Sequence, residues 1–184
     1  MIGTLSPGAV FLDRDGVLVA SDVVDGVPRP AAEAVLLPGV VDACGQLAAA
    51  GFRLVMVTNQ PDIARGKVAA AAVEAVNERL REELGLDQVR MCPHDDIDDC
   101  ACRKPRPGML LDAAADLGID LTRSVMVGDR WRDIGAGEAA GVRTVLVGHG
   151  YDESQWVENG FPTADVIVSS LIEAVPAIVQ GAQE

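Results

Sequence analysis

Four side chains that often bind transition metals lie close together near the middle of the chain: Cys92, His94, Cys100 and Cys102. Structural zinc usually takes four Cys or His ligands in a tetrahedron, so this group is complete for one ion and leaves no position for a catalytic water. The C-x-H and C-x-C gaps are shorter than the usual ligand spacing, and a disulfide is the alternative. We therefore predict a structural zinc site in a loop over residues 92–105.

The same loop carries strong charges of both signs. Arg103 and Lys104 follow the last cysteine directly and could bind an anion such as a phosphate. We expect the zinc ion to fix this loop so that both side chains reach a cleft. The loop also holds four acids, for which a solvated turn is the simplest interpretation: Asp95, Asp96, Asp98 and Asp99.

Two pairs of carboxylates form a second group with chemical potential. Asp13 and Asp15 are two positions apart at the end of an apolar run, where both can face one cleft. Asp129 and Asp133 are four positions apart, a distance that one helical turn can bridge. Nearby carboxylates repel one another unless a cation lies between them, and Mg²⁺ prefers oxygen ligands. The acids therefore predict a magnesium site.

Alternating strands and helices are the elements that must position these acids. Apolar runs predict strands at 9–12, 54–57, 89–91, 125–127, 144–147 and 166–168, and helices between them, one of which covers 67–84. This alternation predicts an α/β protein with a doubly wound, Rossmann-like parallel sheet. Asp13, Thr58 and Asp129 each follow an apolar run. Because ligands bind at the carboxyl ends of parallel strands, we expect the three to meet at one cleft.

Composition narrows the class of protein. With 184 residues and 49% hydrophobic residues, the chain suits one domain over 1–184. A net charge of −13 argues against binding of nucleic acid or an anionic membrane. The chain has neither a signal peptide pattern nor an apolar run of transmembrane length, so we expect a cytoplasmic protein, in which clustered cysteines bind metal. The oligomeric state stays open, with a monomer slightly favoured.

Four short motifs, in order along the chain, resemble those of the haloacid-dehalogenase-like (HAD) phosphatases. They are Asp13-x-Asp15-Gly16, Thr58-Asn59, Lys104 and Gly128-Asp129-x-x-x-Asp133. The match runs from about residue 9 to 147, and four motifs in the right order are highly specific. The segment from Cys92 to Pro105 is also similar to the zinc-loop subfamily, which contains heptose-bisphosphate phosphatases and histidinol-phosphate phosphatases.

The resemblance implies a HAD fold and a hydrolase that forms an aspartyl-phosphate. By this resemblance Asp13 is the nucleophile, and Asp15 protonates the leaving alcohol and then activates water. Mg²⁺ would be held by the side chains of Asp13 and Asp129 and by the backbone carbonyl of Asp15, while Asp133 orients the ligands. The cofactors implied are thus Mg²⁺ and Zn²⁺.

The resemblance also implies which residues bind the substrate, a small phosphate ester. Thr58, Asn59 and Lys104 would bind the transferring phosphoryl group, while Arg103 and Arg130 would hold the rest of an anionic substrate. Residues 16–57 and 59–103 leave no room for the cap domain that many members insert, so a capless site is expected. Trp131, His149 and the 17–38 loop receive no role.

The substrate itself stays between two branches of the subfamily. The sequences Arg106 to Leu111 and Val125 to Asp129 are similar to the heptose branch, whereas the gap between His94 and Cys100 resembles the histidinol-phosphate enzymes. The segment Val19 to Pro30 also lacks a tyrosine that the heptose enzymes have. We favour a sugar phosphate or bisphosphate such as D-glycero-D-manno-heptose 1,7-bisphosphate, followed by histidinol phosphate. A third hypothesis for the function is a non-catalytic, zinc-stabilised binding module.

Overall fold

The computed structural model describes residues 7–20, 23–24, 27–28, 34–148, 158 and 160–181. Eight strands are defined in this part of the chain: β1 (Ala9–Leu12), β2 (Val23–Val24), β3 (Val27–Pro28), β4 (Arg53–Asn59), β5 (Gln88–Cys92), β6 (Val125–Gly128), β7 (Arg143–Val147) and β8 (Val166–Val168). Six of them form one sheet in the order β5-β4-β1-β6-β7-β8. All neighbouring pairs in this sheet are parallel.

Helices cover both faces of the sheet. They are α1 (Val40–Ala49), α2 (Ala70–Leu84), α3 (Gly108–Leu117), α4 (Trp131–Ala140) and α5 (Leu171–Gly181). Residues of α1, α2 and α5 share one apolar core, and residues of α3 and α4 share the other. The chain winds away from β1 in both directions, so the prediction of a doubly wound parallel sheet is confirmed. No helix in the described ranges is long and apolar enough to cross a membrane.

Strand β1 shows why the sheet strands are continuous apolar runs. Val10 and Leu12 point into the core beneath α1, while Ala9 and Phe11 point into the core beneath α3. All four side chains are fully buried. A parallel strand covered on both faces needs an apolar residue at every position, not at alternate positions. The same pattern made the strands readable from the sequence.

Several predicted element bounds differ from the structure by one to three residues, and two of these differences matter for the site. Helix α2 begins at Ala70 rather than residue 67, because backbone bonds from Lys67 and Val68 to the Asp62 carbonyl close a turn before it. Strand β4 continues through Thr58 and Asn59, which therefore lie in the strand and not after it. Within the 17–38 loop, β2 and β3 form a separate antiparallel pair.

The site can be located from the strand order. Strand β1 lies between β4 and β6, and the next residue, Asp13, donates its backbone N–H to the Val127 carbonyl at 2.9 Å. Because β1 runs parallel to both β4 and β6, the carboxyl ends of these three strands lie at the same edge of the sheet. Between Thr58 and Lys104, a stretch described throughout, the chain forms only α2, β5 and the loop that follows β5. No cap domain is present in that interval.

Candidate active site

Three carboxylates converge at the carboxyl ends of β1 and β6. Asp13 follows β1, Asp129 follows β6, and Asp133 lies in the first turn of α4. All three are buried, and their nearest oxygens lie within 4.8 Å of one another. Gly16 keeps room for them: its φ is +89°, and a Cβ there would lie 2.3 Å from Oδ2 of Asp129. Only glycine satisfies both the backbone and this close approach.

Electrostatics at this cluster favour a cation. Burial raises the pKa of Asp13 to about 8; the Lys104 ammonium opposes this rise, whereas the nearby carboxylates, Asp133 first, add to it. A divalent ion would remove the repulsion among these groups and keep Asp13 ionised. Oxygen donors at this spacing are the ligands that Mg²⁺ prefers. The donor set therefore fits magnesium.

Lys104 is the positive charge at the centre of the cluster. Its Nζ lies 2.7 Å from Oδ1 of Asp13 and 2.6 Å from Oδ1 of Asp133. It also donates to the Val57 carbonyl at 2.8 Å, so all three ammonium protons have acceptors. Burial lowers the pKa of Lys104, but the carboxylates of Asp13 and Asp133 outweigh burial and raise it above its ordinary value. The ammonium is therefore permanently charged.

Asn59 makes a contact that the sequence did not predict. Its Nδ2 donates to the Lys104 carbonyl at 3.1 Å, and its Oδ1 accepts the Lys104 backbone N–H at 3.1 Å. The neighbouring Thr58 is fully buried, and its hydroxyl accepts a bond from Nε2 of Gln60 at 2.8 Å. Two of the three residues predicted to bind the phosphoryl group are thus held by side-chain contacts, Asn59 to Lys104 and Thr58 to Gln60.

Asp15 is held at the edge of the cluster by two side chains. Arg14 pairs with its carboxylate at 3.0 Å, and Gln60 Nε2 donates to Oδ2 at 2.9 Å. Arg14 is itself buried and donates to Oδ1 of Asn77, on α2, at 3.0 Å. Sequence reasoning missed these supporting residues. One signal was available, because Asn77 is a polar residue on the otherwise apolar, buried face of α2.

The acids of the 92–105 loop surround a short 3-10 turn in which Asp96, Asp98 and Asp99 are exposed, as predicted, but Asp95 and Asp96 also pair with arginines. Asp96 Oδ1 accepts from Nε of Arg103 at 2.7 Å and from Nη1 of Arg132 at 2.8 Å. These two guanidinium groups hold the pKa of Asp96 well below its usual range. Asp95 pairs with Arg65 at 2.6 Å. Nothing local in the sequence pairs Asp96 with an arginine of α4.

These groups meet in a cleft of about 290 Å³. Its walls are formed by Asp13, Asp15, Asn59, Pro61, Arg103, Lys104, Arg130, Arg132 and Asp133. Thr58 and Asp129, both buried, are not among the lining residues. Arg130 is half-exposed, and its Nε lies 3.7 Å from Oδ2 of Asp129. Seven of the nine predicted active-site residues therefore line one cleft, and Arg132 is a lining residue that was not predicted.

Beside the cleft, the Cys/His cluster has the dimensions of a zinc site. The Sγ atoms of Cys92 and Cys102 lie 3.6 and 3.4 Å from that of Cys100, and Nδ1 of His94 lies 3.3 Å from the Cys102 sulfur. A tetrahedron with Zn–S bonds of about 2.3 Å has edges of roughly 3.7 Å. A disulfide would need sulfurs about 2.05 Å apart. The four ligands are therefore compatible with zinc.

Trp131 supports the arginine that the sequence did not single out. Its ring stacks on Phe161 with centroids 4.0 Å apart, and Cζ of Arg132 lies 5.0 Å from the Trp131 centroid. The ring is therefore a packing surface for a guanidinium group. His149, the other residue left without a role, lies outside the described residues.

Known proteins are similar to this chain in both sequence and fold. A family profile described as HAD-hydrolase-like matches residues 101–174. The D-glycero-β-D-manno-heptose-1,7-bisphosphate 7-phosphatase of Escherichia coli (strain K12) is 39% identical over 183 residues, which cover 92% of this chain and 93% of that protein.

Two solved structures extend the comparison. One is the D,D-heptose 1,7-bisphosphate phosphatase from B. bronchiseptica complexed with magnesium and phosphate, with a TM-score of 0.80 and 33% identity over 94% of this chain and 98% of that one. The other, a D,D-heptose 1,7-bisphosphate phosphatase from Burkholderia thailandensis, gives a TM-score of 0.65 and 27% identity at the same coverage. With its strand-end carboxylates, buried lysine and Cys/His cluster, the chain belongs to the HAD-like phosphatases, in the family of the heptose-bisphosphate phosphatases.

Proposed function

We propose that this chain is a magnesium-dependent phosphatase of a sugar bisphosphate, with D-glycero-β-D-manno-heptose 1,7-bisphosphate as the first candidate. One observation carries the proposal: the Asp13 carboxylate, at the end of the central strand, lies 2.7 Å from the buried Lys104 ammonium and faces a cleft with arginines. The names of the relatives support the choice of a heptose substrate.

Magnesium would be held by the carboxylates of Asp13 and Asp129 and by the backbone carbonyl of Asp15. Asp133 would orient this set, because its carboxylate bonds both Lys104 Nζ and the backbone N–H of Arg130. When bound, Mg²⁺ neutralises negative charge on the phosphoryl oxygens and the nucleophile. The remaining steps belong to side chains of this chain.

In the first step an Asp13 oxygen attacks the phosphorus atom of the ester. A new P–O bond forms to Asp13 while the P–O bond to the sugar breaks, and Asp15 donates its proton to the departing oxygen. The products are an aspartyl-phosphate and the free sugar hydroxyl. Arg14 and Gln60 fix the orientation of the Asp15 carboxyl for this transfer.

In the second step the aspartyl-phosphate is hydrolysed. Asp15, now a carboxylate, accepts a proton from a water molecule whose oxygen attacks the phosphorus. The bond between phosphorus and Asp13 breaks, which releases inorganic phosphate and restores the nucleophile. The proton taken by Asp15 makes it ready to protonate the next leaving group.

Both steps depend on positioning and on stabilisation of spread negative charge. Lys104 supplies the permanent positive charge, and Thr58 and Asn59 supply donors at the end of β4 for the phosphoryl oxygens. Arg103 and Arg130 line the cleft and would bind the anionic remainder of the substrate. A zinc ion on Cys92, His94, Cys100 and Cys102 would fix the segment that carries Arg103 and Lys104.

We also propose that residues 1–184 act as a single capless domain, so that short loops select the substrate. Cytosolic activity is proposed as well, because the zinc ligands must stay reduced, as they do in that compartment. An open cleft without a cap would accept an extended, hydrophilic substrate such as a sugar bisphosphate.

A phosphate-release screen tests the proposed function. The substrates would be heptose and hexose phosphates and bisphosphates, histidinol phosphate and nucleotides, each with Mg²⁺ and with chelated Mg²⁺. We expect the highest kcat/KM on the heptose 1,7-bisphosphate and loss of release in Asp13→Asn. Fastest release from histidinol phosphate would favour that alternative, and no release from any ester would favour the binding module.

A further inference from the structure

Arg132 lines the cleft but has no part in the chemistry proposed above. It occupies the first turn of α4, three residues after the predicted metal ligand Asp129. One third of its side chain is exposed, so the guanidinium group is partly desolvated while it still reaches the cleft. A guanidinium group at the wall of a cleft is suited to bind an oxyanion there.

The Arg132 guanidinium is held in place from two sides. Nη1 donates to Asp96 at 2.8 Å, and Nη2 lies 3.4 Å from the other oxygen of the same carboxylate. The Trp131 ring, which is itself stacked on Phe161, supports it from another direction. An arginine has five N–H donors, and Nε of Arg132 donates to no residue in the described part of the chain. The Nε–H group of Arg132 can therefore still donate to a ligand while the other contacts hold the side chain in position.

Arg103 is held by the same carboxylate. Its Nε donates to Asp96 and its Nη1 to the His94 carbonyl at 3.1 Å, whereas Nη2 has no acceptor among the described residues. Asp96 thus places two guanidinium groups next to each other on one wall of the cleft. Arginines that are already ordered bind an oxyanion with little further loss of entropy.

The negative charge of the molecule opposes binding of a substrate with two phosphate groups, and a pair of arginines can offset this repulsion. The net charge is −13, and four carboxylates surround the reacting centre: Asp13, Asp15, Asp129 and Asp133. A substrate with two phosphate groups is repelled by that field. Lys104 is fully occupied by Asp13, Asp133 and Val57. A second phosphate therefore needs its own cations, and the Arg103–Arg132 wall supplies them.

We propose that Arg132 is a specificity-determining residue that binds, together with Arg103, the second phosphate group of a bisphosphate substrate, and that Asp96 is the positioning residue for both arginines. The inference rests on the proposed phosphatase function and deepens it. The phosphate that is removed lies at Asp13, and the phosphate that stays on the sugar lies against the arginine wall.

The test compares two esters of the same sugar, the heptose 1,7-bisphosphate and the heptose 7-phosphate. For each enzyme variant the measured quantity is the ratio of kcat/KM for the bisphosphate to kcat/KM for the monophosphate. We expect Arg132→Gln to lower this ratio about tenfold or more, mainly through KM of the bisphosphate, because a charge-assisted contact is lost. Arg132→Lys, which keeps the charge but not the fork of donors, should recover part of the ratio. Asp96→Asn should lower the ratio as well.

Matched controls carry the same chemical changes elsewhere. Arg81→Gln removes an exposed arginine that pairs with Glu78 on α2, and Asp99→Asn removes an exposed acid of the 92–105 loop that pairs with Arg106. Both should leave the ratio unchanged. Equal losses on both esters in Arg132→Gln and Arg132→Lys would assign Arg132 a structural role and overturn the inference, and so would an unchanged ratio. Failure of the unsubstituted enzyme to hydrolyse either ester contradicts the proposed function itself.

Discussion

The side chain of Asn59 forms both backbone hydrogen bonds of Lys104, one to its N–H and one to its carbonyl, each 3.1 Å long. The amide thereby pairs with Lys104 as a neighbouring strand would, and it joins the end of β4 to the loop after the Cys/His cluster. The position of the Lys104 ammonium in the active-site cluster therefore depends on a residue that need not touch the ammonium.

Asn59→Asp should separate this positioning role from substrate binding. The carboxylate keeps the acceptor for the Lys104 N–H but loses the donor, and it faces the Lys104 carbonyl with negative charge. We expect kcat to fall roughly ten- to a hundredfold with a smaller change in KM, measured by steady-state phosphate release. Gln46→Glu, the same chemical change on the exposed face of α1, is the control. Full activity of Asn59→Asp would contradict the role.

Lys104→Met should destabilise the protein strongly when magnesium is absent. Above pH 8, where Asp13 is ionised, the substitution leaves Asp13 and Asp133 buried without their cation, and breaking such a pair typically costs about 3–5 kcal/mol. Urea unfolding with and without Mg²⁺ measures the effect, and added Mg²⁺ should restore part of the stability. In the double variant Asp13→Asn/Lys104→Met the loss should be smaller than the sum of the single losses. Additive losses would mean that the two groups are not coupled.

The raised pKa of Asp13 predicts how the magnesium-free protein depends on pH. The folded pKa is about 8, against an ordinary value of 3.8, so between these values the folded state binds the proton more tightly than the unfolded state. Stability from this group is therefore fully present below about pH 4 and is lost as the pH rises through 8. Urea unfolding from pH 5 to 9 should show the loss, and Asp13→Asn should remove that component.

The same pKa shift predicts proton release when magnesium binds. Below pH 8 much of Asp13 carries a proton that a metal ligand must lose. Calorimetric titration with Mg²⁺ at pH 6.5, in two buffers of different ionisation enthalpy, should detect release of up to about one proton per site. Binding of the ion without proton release would show that Asp13 is already ionised in the magnesium-free protein.

Cys100→Ser should lower zinc content, stability and activity together. Loss of one of four ligands weakens the site that fixes the segment before Lys104. The measurements are zinc per chain by atomic absorption, thermal unfolding and phosphate release. Cys44→Ala is the control, because this thiol lies on the buried face of α1 and outside the Cys/His cluster. Unchanged zinc content and rate in Cys100→Ser would contradict a zinc site.

Sequence reasoning reached the elements and the strand-end residues for a physical reason. Strands buried on both faces must be continuously apolar, so the acids that follow them directly, such as Asp13 and Asp129, stand out. The Cys/His cluster could be predicted because its four side chains lie within one short loop. Both signals depend only on residues that are close together in the sequence.

The supporting contacts could not be read in the same way. Asp96 pairs with Arg132 across 36 positions, and Asn59 with Lys104 across 45. Such pairs depend on how the loop after β5 lies against α4 and β4, which no local pattern encodes. Asn77 was the exception, since a buried amide on an apolar helix face requires a partner, and Arg14 is that partner.

The two candidate metal sites differ greatly in how much of the chain each requires. The Cys/His cluster lies within residues 92–102, whereas the carboxylate cluster joins Asp13 to Asp129 and Asp133 across the whole sheet. During synthesis all four Cys/His side chains leave the ribosome before β6 and α4 emerge from it, and short-range contacts close quickly. Zinc bound at this cluster would order the loop that carries Arg103 and Lys104 early, and the carboxylate cluster would then form against a loop that is already folded.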